Sequence, residues 1–363
     1  MSTMEHNGTA SSNPALDINP LTLFDIAKQE GRPLYTCAPM VRYSKLAFRE
    51  TVAQYGVDLC WTPMILAKEF NRSVFARDSD FTTSPTSGPT IAQFGVCSPL
   101  EISRSTILIA PYVNGIDINC GCPQSWACAC SIGAALMHKR ELVAEMVKEA
   151  KSALKREGFE GKKTVSVKIR IHRDLRETVD FIKTVQDAGV DFITIHGRMR
   201  STPSSHPVNL EAIKLLNTHT TVPTLSNGDI TTLRTAQEHT QQTSVSGVMS
   251  ARGLLSNPAL FAGYTSTPWE CVDVFLNCVV KQPIPFKLVV HHLSEMCGSG
   301  GAGGGNSGGG GSAGEGKEGG NAGKSLLNKE ERMRLMECRD MIEVIDFMDS
   351  VRWGGVGVGV GRL

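Results

Sequence analysis

Residues 164–197, TVSVKIRIHRDLRETVDFIKTVQDAGVDFITIHG, carry the pattern that decides the fold. Thr164–Arg170 and Phe192–Gly197 are short runs rich in β-branched residues and read as strands. Between them Val179, Ile182 and Val185 recur at helical spacing. Strand, helix and strand with short connections imply parallel strands and a right-handed crossover. Outward from this unit the alternation repeats. Further strand candidates are Leu34–Ala38, Val57–Met64, Thr90–Val96, Gly115–Gly121, Val222–Asn227 and Gly247–Ala251, and Leu142, Met146, Val147 and Ala150 mark another helical face. Eight such units in about 230 residues have the size of a (β/α)8 TIM barrel. A doubly wound open sheet is the competing arrangement.

Composition narrows the class. The 363 residues include 37 Lys+Arg and 36 Asp+Glu, a balance that excludes a strongly basic, histone-like binder and an acidic tail protein. No apolar run reaches the roughly 18 residues of a membrane span, and the polar start lacks the apolar segment of a signal peptide. An intracellular protein is expected, with its 11 cysteines as thiols. Of 36 glycines, 15 fall in Gly298–Gly323 and five in Gly354–Gly361. The excess therefore belongs to two local tracts and not to the fold.

The expected organisation follows. Residues 1–18 read as a disordered N-terminus. Asn19-Pro20 starts a helix that ends near Gly31, and the barrel runs to residue 266. Residues 267–351 read as a small C-terminal helical domain, with starts near Pro268 and Pro283–Pro285, interrupted by a disordered Gly-rich insertion at 298–323. Residues 352–363 form a tail without assignment.

The distinctive residues fall at the carboxyl ends of the strand candidates, the catalytic face of a parallel barrel. Asn227-Gly228 and Ala251-Arg252-Gly253 follow the last two strands, where barrels bind phosphate through backbone N–H groups. Lys168 and His196 sit on neighbouring strands, where a cation and an imidazole suit the polar edge of a flavin, and Gln93 can bond that edge in two directions. Cys122, in a Gly-Cys-Pro turn past the fourth strand, places a thiol at the cleft. A free thiol titrates near about 8.5, so at neutral pH it holds a proton to donate. Cys120, two residues earlier, is assigned to packing. Cys120, Cys122, Cys128 and Cys130 follow C-x-C-x5-C-x-C, unlike the C-x2-C pairs of structural zinc, and no metal is expected.

Asn119-Cys-Gly-Cys122-Pro-Gln-Ser-Trp126, followed by Gly133-Ala-Ala-Leu, resembles the signature of the tRNA-dihydrouridine synthases. Supporting matches are Ala38-Pro39-Met40, Val167-Lys168-Ile-Arg170, Ile195-His196-Gly-Arg198, Pro207-Val208, Asn227-Gly-Asp-Ile230 and Gly247–Pro258. The resemblance spans roughly residues 33–297, with a weaker echo in 324–351. The Cys-Pro-Gln-x-Trp run and Asn257–Tyr264 are most similar to the eukaryotic branch acting at positions 20a and 20b of cytoplasmic tRNA.

The resemblance implies an FMN-binding barrel, a helical domain that helps hold tRNA, and NADPH, or NADH, as reductant of the flavin. Hydride would pass to C6 of a flipped-out uridine, and Cys122 would protonate C5. Pro39 and Met40 would lie by the flavin ring, and Gln93, Lys168 and His196 at its polar edge. Asn227, Gly228, Ala251 and Arg252 would hold the phosphate. Asn119 would meet the uracil, and Arg198 would assist the uracil or the flavin. A cytoplasmic protein with access to the nucleus, monomeric and without a membrane partner, is expected. Ser131 departs from the family pattern, which has Gly shortly before the residue matching Gly133; Met199–Ser205 and the split helical domain depart too. Two other readings share parts of this pattern. One is an FMN-dependent dehydrogenase of a free pyrimidine, of the dihydroorotate or dihydropyrimidine type. The other is a catalytically idle tRNA-binding protein.

Overall fold

Eight parallel strands close on themselves in the computed structural model, which describes residues 13–298 and 325–354. The first half of the chain contains α1 (Pro20–Gln29), β1 (Leu34–Cys37), α2 (Leu46–Ala53), β2 (Leu59–Trp61), β3 (Ile65–Leu66), α3 (Ala67–Arg72), α4 (Val74–Asp80), β4 (Thr90–Gly95), α5 (Pro99–Ile109), β5 (Gly115–Cys120), α6 (Ser125–Ala129) and α7 (Arg140–Arg156). The second half contains β6 (Thr164–Arg170), α8 (Leu175–Asp187), β7 (Phe192–His196), α9 (Leu210–Thr218), β8 (Thr224–Asn227), α10 (Leu233–Thr243), β9 (Gly247–Ser250), α11 (Arg252–Ser256), α12 (Trp269–Lys281), α13 (Phe286–Met296), α14 (Lys329–Glu337) and α15 (Met341–Arg352). The strands run β1, β2, β4, β5, β6, β7, β8, β9 and back to β1, so the sheet is a TIM barrel and not an open sheet. The short β3 pairs only with the end of β4, at Ile65 opposite Phe94.

Alternation along each strand separates two environments. On β5, β6 and β7, Ile116, Ile118, Cys120, Val165, Val167, Ile169, Ile193 and Ile195 pack outward against Val143, Val147, Phe181, Ile182 and Ile213 of α7, α8 and α9. The intervening residues Asp117, Asn119, Ser166, Lys168, Thr194 and His196 therefore face the barrel axis. At the amino-terminal end the axis is filled by Leu34, Leu59, Trp61, Ile91, Phe192 and Leu225, covered by Phe24 and Ala27 of α1. The Phe24 and Phe192 rings lie 5.5 Å apart. Asn19 caps α1, its Oδ1 accepting from the Leu21 N–H at 2.9 Å. With that end plugged, the polar carboxyl-terminal mouth is the open one.

All eight barrel strands lie where the sequence reading places them, with ends shifted by up to three residues. Residues 13–18 are ordered, unlike the expected disordered N-terminus: Pro14–Asp17 form a 3-10 turn capped by Asn13, whose amide also donates to the Ser87 carbonyl at 2.8 Å. The remainder of that segment (1–12), residues 299–323 of the Gly-rich insertion and residues 355–363 of the tail lie outside the described residues. The four carboxyl-terminal helices α12–α15 bury Val272, Phe275, Val289, Leu293, Leu335, Val344 and Phe347 in one cluster with Tyr35, Phe48 and Val52 of β1 and α2. Among the described residues no helix is long and apolar enough to cross a membrane.

Candidate active site

Three neighbouring strands build one wall of the open mouth. Register pairs Arg170 with His196 and His196 with Asn227. Lys168, one inward step below Arg170, sends Nζ to Asn227 Oδ1 at 2.7 Å, and Asn227 Nδ2 donates to the Met249 carbonyl at 2.7 Å. Burial and the Arg170 charge push the Lys168 ammonium down to about 8, with Asp117 and Cys122 acting in the opposite sense. An ammonium has three donors, and Asn227 uses one.

His196 is held neutral. Burial, then the charges of Lys168, Arg170, Arg198 and Arg252, push its imidazolium down to about 2. Arg198 Nη1 approaches His196 Nε2 at 3.2 Å. A guanidinium only donates, so Nε2 accepts and the neutral ring carries its proton on Nδ1. Arg198 is itself pinned. Its Nη2 meets both Asp229 oxygens at 2.5 and 2.6 Å, and its Nε donates to the His206 carbonyl at 2.9 Å. The Asp229 carboxylate also accepts from the Val208 N–H at 2.9 Å and lies 3.4 Å from Arg252. Arg198, buried and with each of its three nitrogens bonded to a protein group, thus orients His196 and anchors the loop after β7.

Cys122 sits in a loop tied down at both ends. Asn119 Oδ1 accepts from the Gly121 and Cys122 N–H groups at 3.0 and 2.9 Å, and Arg170 Nε donates to the Gly121 carbonyl at 2.7 Å. The Cys122 carbonyl accepts from the Ala134 N–H at 2.9 Å. Gly133 adopts φ +65°, and a Cβ there would lie 2.6 Å from the Cys122 carbonyl oxygen, so only glycine allows this close return. The Cys122 thiol is half-buried and within electrostatic reach of Lys168 and Arg170. Cys120 faces the other way, wholly buried under the helices, and burial raises its thiol well above the ordinary range.

The remaining sequence candidates border the same mouth. Ala38 bonds to the Ser250 carbonyl at 2.9 Å, bringing Pro39 and Met40 beside the end of β9, where Met40 and Ala251 pack on one cluster. Gly228 has φ +120°, and a Cβ there would press on Val208, His196 and Arg198 at 3.0–3.3 Å. Gln93 is brought in but turned inward: its Nε2 donates to Asp117 Oδ2 and its Oε1 accepts from Asn119 Nδ2, each at 2.7 Å. Asp117, Ser166 and Asp229 belong to this constellation and carry no role in the sequence reading. The alternation Gly-Ile-Asp-Ile-Asn was the available signal, since it puts Asp117 on the face of Asn119. Ligand-type atoms of His138, His172 and Glu177 lie within 4.8 Å of one another. His172, however, gives Nε2 to the Met137 carbonyl and Nδ1 to the Thr178 hydroxyl, each at 2.9 Å, which leaves no lone pair for an ion.

The charges of the mouth fit an anionic ligand. Lys168, Arg170, Arg198 and Arg252 converge there, and Asp229 is the carboxylate that ion-pairs with two of them. Lys168 has donors to spare, and buried donors without enough acceptors hold an anion well. A closed parallel barrel with a thiol and a cationic wall at its carboxyl-terminal mouth has the architecture of a barrel enzyme. The profile of the dihydrouridine synthase (Dus) family matches residues 36–305, and the chain belongs to that family. It is similar to the tRNA-dihydrouridine(20a/20b) synthase [NAD(P)+] of Schizosaccharomyces pombe, 46% identical over 280 residues, covering 77% of this chain and 84% of that protein. The protein of the same name from Saccharomyces cerevisiae is 40% identical over 342 residues, 92% of this chain and 85% of its own. A tRNA-dihydrouridine(16/17) synthase-like protein of Rattus norvegicus is 33% identical over 270 residues, 73% of this chain and 60% of its own.

Proposed function

We propose that this protein reduces uridine to 5,6-dihydrouridine at positions 20a and 20b of cytoplasmic tRNA, using FMN and a nicotinamide reductant, NADPH or NADH. The observation that carries this reading is the convergence of Cys122, Lys168 and His196 on one mouth, in a chain of this family. The higher identity to the 20a/20b relatives than to the 16/17 relative supports the position.

The residues fit FMN. Arg252 and the backbone at Asn227–Gly228 and Ala251 would hold its phosphate, where positive charge exceeds negative. Lys168 Nζ and His196 Nδ1–H would donate to its polar edge, Gln93 would add its second amide hydrogen, and Pro39 and Met40 would line its ring. When bound, FMN supplies a hydride for C6 of the uracil. Lys168, with two donors to spare, stabilises negative charge beside it. Asn119 and Arg170 hold the loop so that the Cys122 thiol can deliver its proton to C5, and Arg198 fixes His196.

The test is incubation of the purified protein with unmodified tRNA transcript and NADPH, followed by mapping of dihydrouridine. Bound FMN and new dihydrouridine at 20a and 20b are expected. A protein that takes up no flavin, or that reduces free uracil or orotate and not tRNA, would overturn the reading.

A further inference from the structure

Asp117 is wholly buried inside the barrel on β5, flanked in register by Gln93 of β4 and Ser166 of β6. Its Oδ1 accepts from Ser166 Oγ and its Oδ2 from Gln93 Nε2, each at 2.7 Å. Gln93 Oε1 accepts from Asn119 Nδ2 at 2.7 Å, and Asn119 Oδ1 accepts from the N–H groups of Gly121 and Cys122. These bonds form one continuous chain from the centre of the barrel to the Cys122 backbone.

A chain of primary amides can run in either direction, because each amide has a donor end and an acceptor end. A carboxylate can only accept. It turns Gln93 Nε2 inward, so Gln93 Oε1 faces Asn119, Asn119 Nδ2 faces Gln93, and Asn119 Oδ1 is left toward the loop. There it meets two N–H groups that need an acceptor. With the chain reversed, the Asn119 amide donor would face those N–H groups and the loop would lose its hold. Burial raises the Asp117 carboxyl to about 6, against the opposing bonds from Gln93 and Ser166, so keeping an ionised acceptor here is unfavourable in itself.

We propose that Asp117 is a positioning residue for Cys122: through Gln93 and Asn119 it sets the direction of the hydrogen-bond chain that holds the loop carrying the thiol. The proposal rests on the reading of Cys122 as the proton donor to uracil. Asp117 touches neither substrate nor thiol; it acts by orienting two amides.

The test compares Asp117→Asn with Asp117→Leu, of similar shape. Asparagine retains the direction, since its Oδ1 can accept from Gln93 while its Nδ2 donates to Ser166 Oγ. Leucine removes the acceptor. Three rates are read: those of flavin reduction by NADPH and of uridine reduction, measured separately, and that of Cys122 alkylation by iodoacetamide, followed by peptide mass spectrometry in the protein without tRNA. For Asp117→Leu, uridine reduction is expected to fall by up to about 10²-fold, the scale of a misplaced catalytic group. Flavin reduction should stay within a few fold, and Cys122 alkylation should change several-fold. Asp117→Asn should restore uridine reduction and the alkylation rate. Should Asp117→Leu fail to fold, Asp117→Ala is measured in its place.

Unchanged alkylation and uridine reduction in the acceptor-less variant would overturn the proposal. So would an equal loss of both half-reactions, which would mark a general structural role. If Cys122→Ala keeps full uridine reduction, the reading of Cys122 as the acid fails. The alkylation result then still decides whether Asp117 holds the loop.

Discussion

At the scale of single residues, the site separates groups free to act from groups that aim them. Lys168 and Cys122 retain unused hydrogen-bonding capacity at the mouth, whereas Arg198 is consumed by Asp229, His206 and His196. Cys122→Ala is expected to keep FMN binding and its reduction by NADPH while uridine reduction falls by about 10²–10⁴-fold, the contribution of a placed general acid. Cys120→Ala, beneath the helices, should change uridine reduction far less; stopped-flow on both half-reactions checks the pair. Arg198→Lys preserves charge but loses the planar fork that reaches Asp229 and His196 together. Freed of its guanidinium donor, His196 can carry its proton on either nitrogen, so FMN affinity should weaken. Titration of the flavin-free protein with FMN measures it. Residues at strand ends were legible in the sequence because strand order and alternation place them. Asp117 was not, since a polar residue within an apolar strand gives no sign of which partners will meet it from strands β4 and β6.

At the scale of elements, the strands were legible because apolar runs bounded by turn residues need only local pattern. The two-residue β3 and the helices α3 and α4 were not: Pro63 breaks the pattern ahead of them, and none spans enough turns for a period to show. The loop after β5 gives the clearest case of a departure with a physical consequence. Ser131 adopts φ +60°, two residues before Gly133 at +65°. A non-glycine residue in this region is disfavoured by roughly 1–2 kcal/mol. Glycine also gives the unfolded chain more freedom, which returns about 0.4–1 kcal/mol of that gain. Ser131→Gly is therefore expected to raise stability by about 0–1.6 kcal/mol, the balance of these two terms. Denaturant unfolding followed by circular dichroism measures it, and a destabilised variant would show that the Ser131 side chain contributes more than its backbone strain removes.

At the scale of the whole molecule, the chain-terminal helices and the barrel are joined by the α12–α15 cluster that includes β1 and α2. The sequence shows helical faces in 267–351 but not what they cover, because much of that surface comes from β1 and α2, more than 200 positions earlier. His292 of α13 lies at this junction, wholly buried among Tyr43, Phe48 and Phe275 with ring centroids 4.9–5.2 Å away. Among the described residues neither of its ring nitrogens has a hydrogen-bond partner. Burial pushes its imidazolium down to about 3, only partly opposed by the nearby Tyr43 backbone. The folded protein thus holds a neutral ring, while the unfolded chain takes up a proton below about 6.5. The unfolded state binds more protons between about 6.5 and 3, so this group makes stability fall as pH drops through that window. His196 acts in the same direction, and Asp117, raised in the fold, acts oppositely below about 6. His292→Leu removes one of these contributions and two unpaired buried nitrogens, each worth about 1–3 kcal/mol when left unsatisfied. The variant is expected to melt higher than the parent at neutral pH and to lose less of its Tm on acidification from pH 6.5 to 4. Parallel melting curves across that range decide it. If the parent and the variant lost Tm equally, the ring would not be the proton-linked group at this junction.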